Sequence, residues 1–351
     1  SAEFGQTGGA VVNMIMKSGT NNFDGTAYYF LRNSALNSTD WFTARAGREK
    51  PYYRRHQVGG VFGGPAVKDK LFYLFSLDGQ RRREPFRPIS AATERATDPE
   101  FADALERYYQ ILEDEYGIAN AAATYDEFET TNDVLTLFGR VDWTISQANR
   151  FSLRHNFSDY DNLNEGSSPA GGRSQHEAFK NTTNSLVGEL TSSFGETMAN
   201  VFRFQWSSED RPRVGNELRP EILVQNVVPG ESIEYGGAFI SFDIRLAEDK
   251  IQLVDNFTWQ LGSHMVKVGT NNIFTHVTND FWLNGSGGYE IADLHALEAG
   301  RPTRYTRNVT RDGRAPTAEF DVQEYSLYTQ AEGQATPKLF VAAGVRYGAA
   351  G

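Results

Sequence analysis

Six histidines stand at positions 56, 155, 176, 264, 276 and 295, and histidine is the side chain best suited to metal ligation or proton transfer near neutral pH. A zinc hydrolase would pair two of them across one helical turn, as in His-Glu-x-x-His, and no such spacing occurs. They read as surface or rim residues. The stretch Asp159-Tyr160-Asp161-Asn162-Leu163-Asn164-Glu165-Gly166 has the oxygen density of a calcium loop. Leu163 fills its third ligand position, however, so it reads as a polar loop and not as a metal site. Cysteine is absent, which removes thiolate ligands, disulfides and thiol nucleophiles. Neither a Gly-x-Ser-x-Gly elbow nor a phosphate-cradling Gly loop ending in Lys-Ser/Thr is present. No catalytic, cofactor-binding or metal-binding residue is assigned, and the expectation is a protein that is not an enzyme.

The spacing that does carry a signal is two. Leu135, Val141, Trp143 and Ile145 fall on one face of a strand whose other face carries Arg140 and Asp142. A later strand sets Phe202, Phe204 and Trp206 against Arg203 and Gln205. Arg154 and Glu189 occupy the polar face of the intervening strands. If the apolar face meets lipid, Arg140, Asp142, Arg154, Glu189 and Arg203 point into one wet lumen, because each facing lipid would cost about 2–4 kcal/mol near the midplane. One strand breaks the pattern: Asp255 lies among Leu253, Phe257, Trp259 and Leu261.

These strands need hairpins to hold them, and the chain supplies five. The first has arms within 53–83 around a turn read as Gly64-Pro65-Ala66-Val67-Lys68-Asp69-Lys70, where Pro fixes φ and cannot donate to a ladder. The others turn at 146–149, 195–197, 262–264 and 336–338. With a strand at 23–32, the count is about eleven. Long polar connections alternate with the short turns, at 33–52, 84–132, 161–179 and 208–249. In the second, Asp98-Pro99 opens a helical pattern of Phe101, Leu105, Tyr108, Tyr109 and Leu112. Short turns on one side and long loops on the other characterise outer-membrane barrels.

Composition agrees. The 351-residue chain is 39% hydrophobic and 13% aromatic, with 33 Gly, and its mean hydropathy of −0.50 excludes membrane helices of about 20 apolar residues. Barrel strands escape that exclusion, because they show lipid only every second side chain. A net charge of −11 argues against nucleic acid as a partner. The fold class expected is all-β: a transmembrane antiparallel β-barrel.

Two stretches carry a family resemblance. Gly8-Gly9-Ala10-Val11-Val12-Asn13-Met14-Ile15-Met16-Lys17-Ser18-Gly19-Thr20-Asn21, followed by Phe23, Gly25 and Arg32-Asn33, resembles the plug–barrel junction of TonB-dependent outer-membrane receptors. Gly59-Gly60, Gly63-Gly64-Pro65, Lys68-Asp69-Lys70-Leu71-Phe72 and Gly79-Gln80-Arg81 resemble the next barrel strands of their Oar-like branch. A later hairpin, Gln323 to Tyr328 with Gly344 to Tyr347, is similar too. The resemblance implies a 22-stranded barrel in the bacterial outer membrane, closed by an N-terminal plug, that imports a scarce ligand with energy from TonB. It divides this chain into the end of a plug with its link (1–22, junction residues Gly8, Gly9, Asn13, Lys17, Ser18, Gly19 and Thr20) and the first half of a barrel (23–351), with a helix-bearing extracellular loop near 84–132. Most of the plug, the TonB-contacting segment and the distal barrel would lie outside this chain, leaving the first and last strands as open edges. The implied partners are outer-membrane lipid, the TonB complex and a small-molecule, peptide or glycan ligand, with no cofactor. A passive porin and an adhesive or structural surface protein share the strand pattern and stand as alternatives.

Overall fold

The computed structural model describes residues 2–3, 5, 16–45, 47, 49–88, 98–166, 170–238, 244–311, 313 and 316–351. In chain order the strands are β1 (Asp24–Asn33), β2 (Arg54–Val67), β3 (Leu71–Phe86), β4 (Phe128–Thr144), β5 (Asn149–Glu165), β6 (Glu177–Phe194) and β7 (Met198–Gly215). There follow β8 (Glu221–Val228), β9 (Glu231–Tyr235), β10 (Ile244–Leu261), β11 (His264–Phe281), β12 (Gly288–Asp293), β13 (Arg304–Thr306), β14 (Thr317–Thr336) and β15 (Leu339–Ala350). Among the described residues the α-helices between them are α1 (Trp41–Arg45), α2 (Pro99–Asp114) and α3 (Leu294–Glu298).

Eleven strands form one sheet in the order β1-β2-β3-β4-β5-β6-β7-β10-β11-β14-β15. Every neighbour pair is antiparallel. Within this sheet β1 and β15 each have one neighbour, so it is an arc of a barrel with two edges. The short turns use backbone angles that few residues adopt, with positive φ at Asp69, Gly195 and Gly262. The first turn is tighter than the sequence reading. β2 runs through Gly64-Pro65 to Val67, with an irregularity between Pro65 and Val67, and only 68–70 reverse the chain. Proline is tolerated there because β1 starts at Asp24 opposite Gly63, so Pro65 lies past the end of that neighbour.

The strands also outrun the sequence-based limits on the loop side. β3 continues to Phe86, β5 to Glu165 and β7 to Gly215, while β10 begins at Ile244. Strands of 16–18 residues exceed the ~9–11 that a tilted strand needs to cross a bilayer. Their upper parts alternate charged residues, as in Arg83 with Asp133 (2.9 Å) and Arg245 with Asp210 (2.8 Å), which conceal the strand from a hydropathy search.

Two tyrosines brace the sheet by the same device. Tyr28 of β1 stands opposite Gly59 of β2, which stands opposite Asp78 of β3. A Cβ on Gly59 would collide with the Tyr28 ring, so the glycine is what lets the ring lie across β2 and its hydroxyl donate to Asp78. Tyr328 of β14 repeats this over Gly269 of β11, where a Cβ would come 2.6 Å from the ring, and donates to Asn256 of β10 at 2.7 Å.

The large sheet has few buried apolar side chains. The apolar core instead lies in the long connections. Residues of α2 and the turn after it (Phe101, Leu105, Tyr108, Ile111, Leu112, Ile118), of β8–β9 (Ile222, Val224, Ile233) and of β12–α3 (Ile291, Leu294, Leu297) form a single cluster. A four-stranded sheet, β13-β12-β8-β9, carries it, with β8 and β12 parallel. α2 starts where Asp98 caps it, its carboxylate accepting from Glu100 N at 3.0 Å, and Pro99 follows at a position that needs no N–H donor.

Candidate functional site: the polar face and the loop module

Register decides which side chains share a face, since paired residues point the same way. Leu71, Trp143 and Phe151 align, as do Tyr73, Val141 and Leu153; Leu77 and Phe157 stand opposite Leu137, and Gly79 and Asp159 opposite Leu135. Phe202, Phe204 and Trp206 continue this face through Leu190, Gly188 and Leu186. It is exposed: Trp143, Val141, Leu135 and Phe202 keep about 40% of their surface. Ile145, just past the end of β4, is exposed as well.

The opposite face is polar and bonded. Asp142, Ser152, Glu189 and Arg203 form one row across β4–β7, and Arg140, Arg154, Val187 and Gln205 the next. Arg140 grips Asp142 at 2.7 Å and Arg203 grips Glu189 at 2.6 Å. Arg154, set beside Arg140, has no carboxylate at ion-pair distance among the described residues, so three guanidiniums meet two carboxylates and the cluster is left with one positive charge. Towards the loops the same face continues as Gln80–Asn132–Tyr160, bonded at 2.9 and 2.8 Å.

The N-terminal residues lie on this polar face. Arg140 donates to Met16 O (3.4 Å), and Asn21 exchanges hydrogen bonds with Asp69 (2.8 Å from Asp69 N). On the far side of the arc, Ala2 N donates to Gln330 (2.9 Å) and Arg346 donates to Glu3 O (2.8 Å). Gln330 and Arg346 belong to the face that Tyr328 and Asn256 share. Gly19 passes so close to the β3 backbone at Tyr73 that a Cβ could not fit. Lys17, Ser18 and Thr20 are exposed irregular chain, whereas Gly8, Gly9, Asn13 and most of the strand expected at 10–17 lie outside the described residues.

The loop module has its own pocket. The Tyr235–Ile222–Tyr289–Tyr305 row crosses its four strands in register. Ile222 and Tyr235 of that row are buried and Tyr305 is exposed, and a cavity opens beside the row past the end of α2 at Asp114. This pocket, of about 390 Å³, is lined by the first three residues of the row with Tyr116, Ile118, Pro220, Ile291 and Pro302, and by one charged side chain, Arg219. Three connections far apart in sequence build it, and Tyr116 is tied to Leu297 O at 2.8 Å. Beneath it Tyr108 and Tyr125, both buried, share a hydrogen bond of 3.1 Å, and Tyr125 donates onward to Glu234 O at 2.5 Å. Burial raises both phenols above their ordinary value.

One histidine departs from the surface reading. His176 is completely buried between Phe86 and Phe128 (ring centroids 4.5 and 4.9 Å), with Nδ1 at 3.1 Å from Gly172 O and Nε2 unpartnered. Its sequence neighbours are polar, so local pattern points outward; the aromatic cage comes from other strands. Burial holds its imidazole below the ordinary histidine range. Above about pH 6.5 the group is neutral whether folded or open, and stability is full. As pH falls, the open form protonates first and stability is lost down to the depressed folded value. Glu221, raised by burial and by Glu234, works in the opposite sense: its contribution is full below about pH 4.5 and is lost as pH rises through its raised folded value. Hydrogen exchange at 170–177, corrected for intrinsic rate, should show more frequent opening at pH 5.5 than at pH 7.5, by at most about tenfold, because pH 5.5 lies about one pH unit below the value of the open histidine. His176→Phe should flatten that difference; a pH dependence surviving in the variant would remove His176 as its source.

A family model described as Outer membrane beta barrel domain matches residues 15–114 and 92–350. The chain belongs to that family. Among solved structures it is similar to the outer membrane transporter YddB from Escherichia coli, with TM-score 0.60 and 13% identity over 94% of this chain and 39% of that one. The siderophore receptor PirA from Acinetobacter baumannii gives 0.51 and 13%, over 95% and 40%. A mutant of the ferric enterobactin receptor from Pseudomonas aeruginosa in complex with enterobactin gives 0.50 and 10%, over 95% and 41%. No curated protein matches the sequence. The chain thus spans about two fifths of the length of each of these structures. Membership of the barrel family and this likeness of fold bear out the all-β transmembrane reading and the bacterial outer membrane as location. Among the described residues no cluster of three metal-ligating side chains exists, and Asp161 of the calcium-like stretch is paired with Lys180 at 2.9 Å.

Proposed function

We propose that the protein is an outer-membrane receptor that captures a scarce ligand at its loops and imports it with TonB-supplied energy. The apolar face (Leu135, Val141, Trp143, Ile145, Phe202, Phe204, Trp206) meets lipid, and the polar face (Arg140, Asp142, Arg154, Glu189, Arg203) lines the lumen. The observation that carries this reading is the attachment of the N-terminal segment to the polar face at both ends of the arc, by Ala2 and Glu3 to β14–β15 and by Met16 and Asn21 to β4 and the first turn. A porin needs nothing tied across its lumen. A receptor needs a plug there, and Ser18 to Asn22 is its link to β1. On this reading the segments 84–132 and 208–249 lie on the extracellular side, and the loop module with its aromatic pocket is the part that meets the ligand first.

Planar-bilayer recordings of the full-length protein test this. The intact protein should hold no steady conductance, and removing everything before Phe23 should open a large one. Collapse of the proton gradient should also stop accumulation of any compound the cells retain through it. An intact protein that conducts like the truncated one would make it a porin.

A further inference from the structure

Asp255 stands on the apolar face, opposite Phe202 of β7 and Thr270 of β11. It is seven residues above Gly262 in the short turn, roughly 17 Å at ~2.5 Å of height per tilted residue, within an apolar band ~25 Å tall. A carboxylate at that depth needs hydrogen-bond donors, since lipid supplies none. Its polar neighbours on this face are Asn200, Thr270 and Asn272. Two of these are engaged locally. The β11–β14 ladder lapses between Thr270↔Leu327 and Ile273↔Glu324; there Thr270 Oγ1 donates to Ser326 O (2.6 Å) and Asn272 Oδ1 accepts from Ser326 N (3.3 Å). Asn200 is left for Asp255, its Nδ2 donating to Oδ1 at 2.7 Å.

That bond uses one of the amide's two N–H groups and one of the carboxylate's two oxygens. Among the described residues the remaining N–H and the remaining oxygen meet no further partner. We infer that a second copy of this protein covers the patch, about a two-fold axis along the membrane normal. One spare donor beside one spare acceptor is self-complementary under such an axis: Asn200 of each copy gives its second N–H to Asp255 of the other, closing a ring of four hydrogen bonds. Phe202, Leu253, Phe257 and Val268 surround the ring and exclude competing polar groups. An unrelated occupant would have no need of both halves of the pair. The inference is independent of what the protein transports.

Native mass spectrometry and cross-linking of the full-length protein in lipid nanodiscs decide it, with heat-modifiable gel migration reporting the folded barrel. The wild type should be dimeric. Asp255→Leu should weaken dimerisation at least tenfold while the barrel stays folded, and Asn200→Asp should do the same by setting carboxylates against one another. Combining Asn200→Asp with Asp255→Asn exchanges the two roles and should restore the dimer. A monomeric wild type, a dimer that survives Asp255→Leu, or a double exchange no better than Asn200→Asp alone would each overturn the interface.

Discussion

Phe204→Arg should prevent most of the protein from folding into bilayers, while Gln205→Arg, one residue further along β7, should leave folding near normal. Phe204 pairs with Gly188 and Leu253 on the apolar face and lies about as far above its turn as Asp255 does, near mid-membrane. An arginine there costs about 2–4 kcal/mol, against almost nothing near the interfaces, so a mid-band position separates the faces better than Trp143 beside the turn. Gln205 pairs with Val187 and Gln252 on the polar face, with Arg154 one strand beyond Val187. A second cation adds repulsion there but keeps water. Urea titrations of the full-length protein in lipid vesicles give the two free energies directly. Equal losses would mean that the apolar face does not meet lipid.

Leu112→Ala should melt the loop module and spare the barrel. Leu112 is wholly buried on α2 together with Tyr108, and a leucine truncated to alanine in such a core costs about 2–5 kcal/mol through lost burial and the cavity left. Because the same cluster includes Val224, Ile291 and Leu297, the loss should spread. Limited trypsin digestion should cut within 98–126, 217–235 and 289–304 together, at sites such as Arg107, Arg219 and Arg304. Heat-modifiable migration of the barrel should not change. Cutting confined to 98–126 would show that the three connections do not share one cooperative core.

The residues themselves determined the strands. Alternation at period two is a property of each strand alone, and a turn such as Gly262-Ser263 is complete within a few residues, so the eleven strands and the two faces at 135–145 and 202–206 were legible without any tertiary information. Strand ends were not: once the strands leave the bilayer both faces become polar, and Glu209 to Arg213 looks like loop until register pairs it with β6 and β10. Only the tertiary structure decided that three connections join. Tyr116 meets Leu297 and Arg107 meets Glu298 at 2.6 Å across more than 180 residues of chain, and each connection alone carries too few apolar residues to announce a core. His176 was misplaced for the same reason, since its burial is supplied by Phe86 and Phe128 from other strands. Asp255 was visible from the start as an acid in an apolar run. Its hydrogen bond to Asn200, 55 residues away, exists only because β8 and β9 leave the large sheet and bring β7 and β10 side by side.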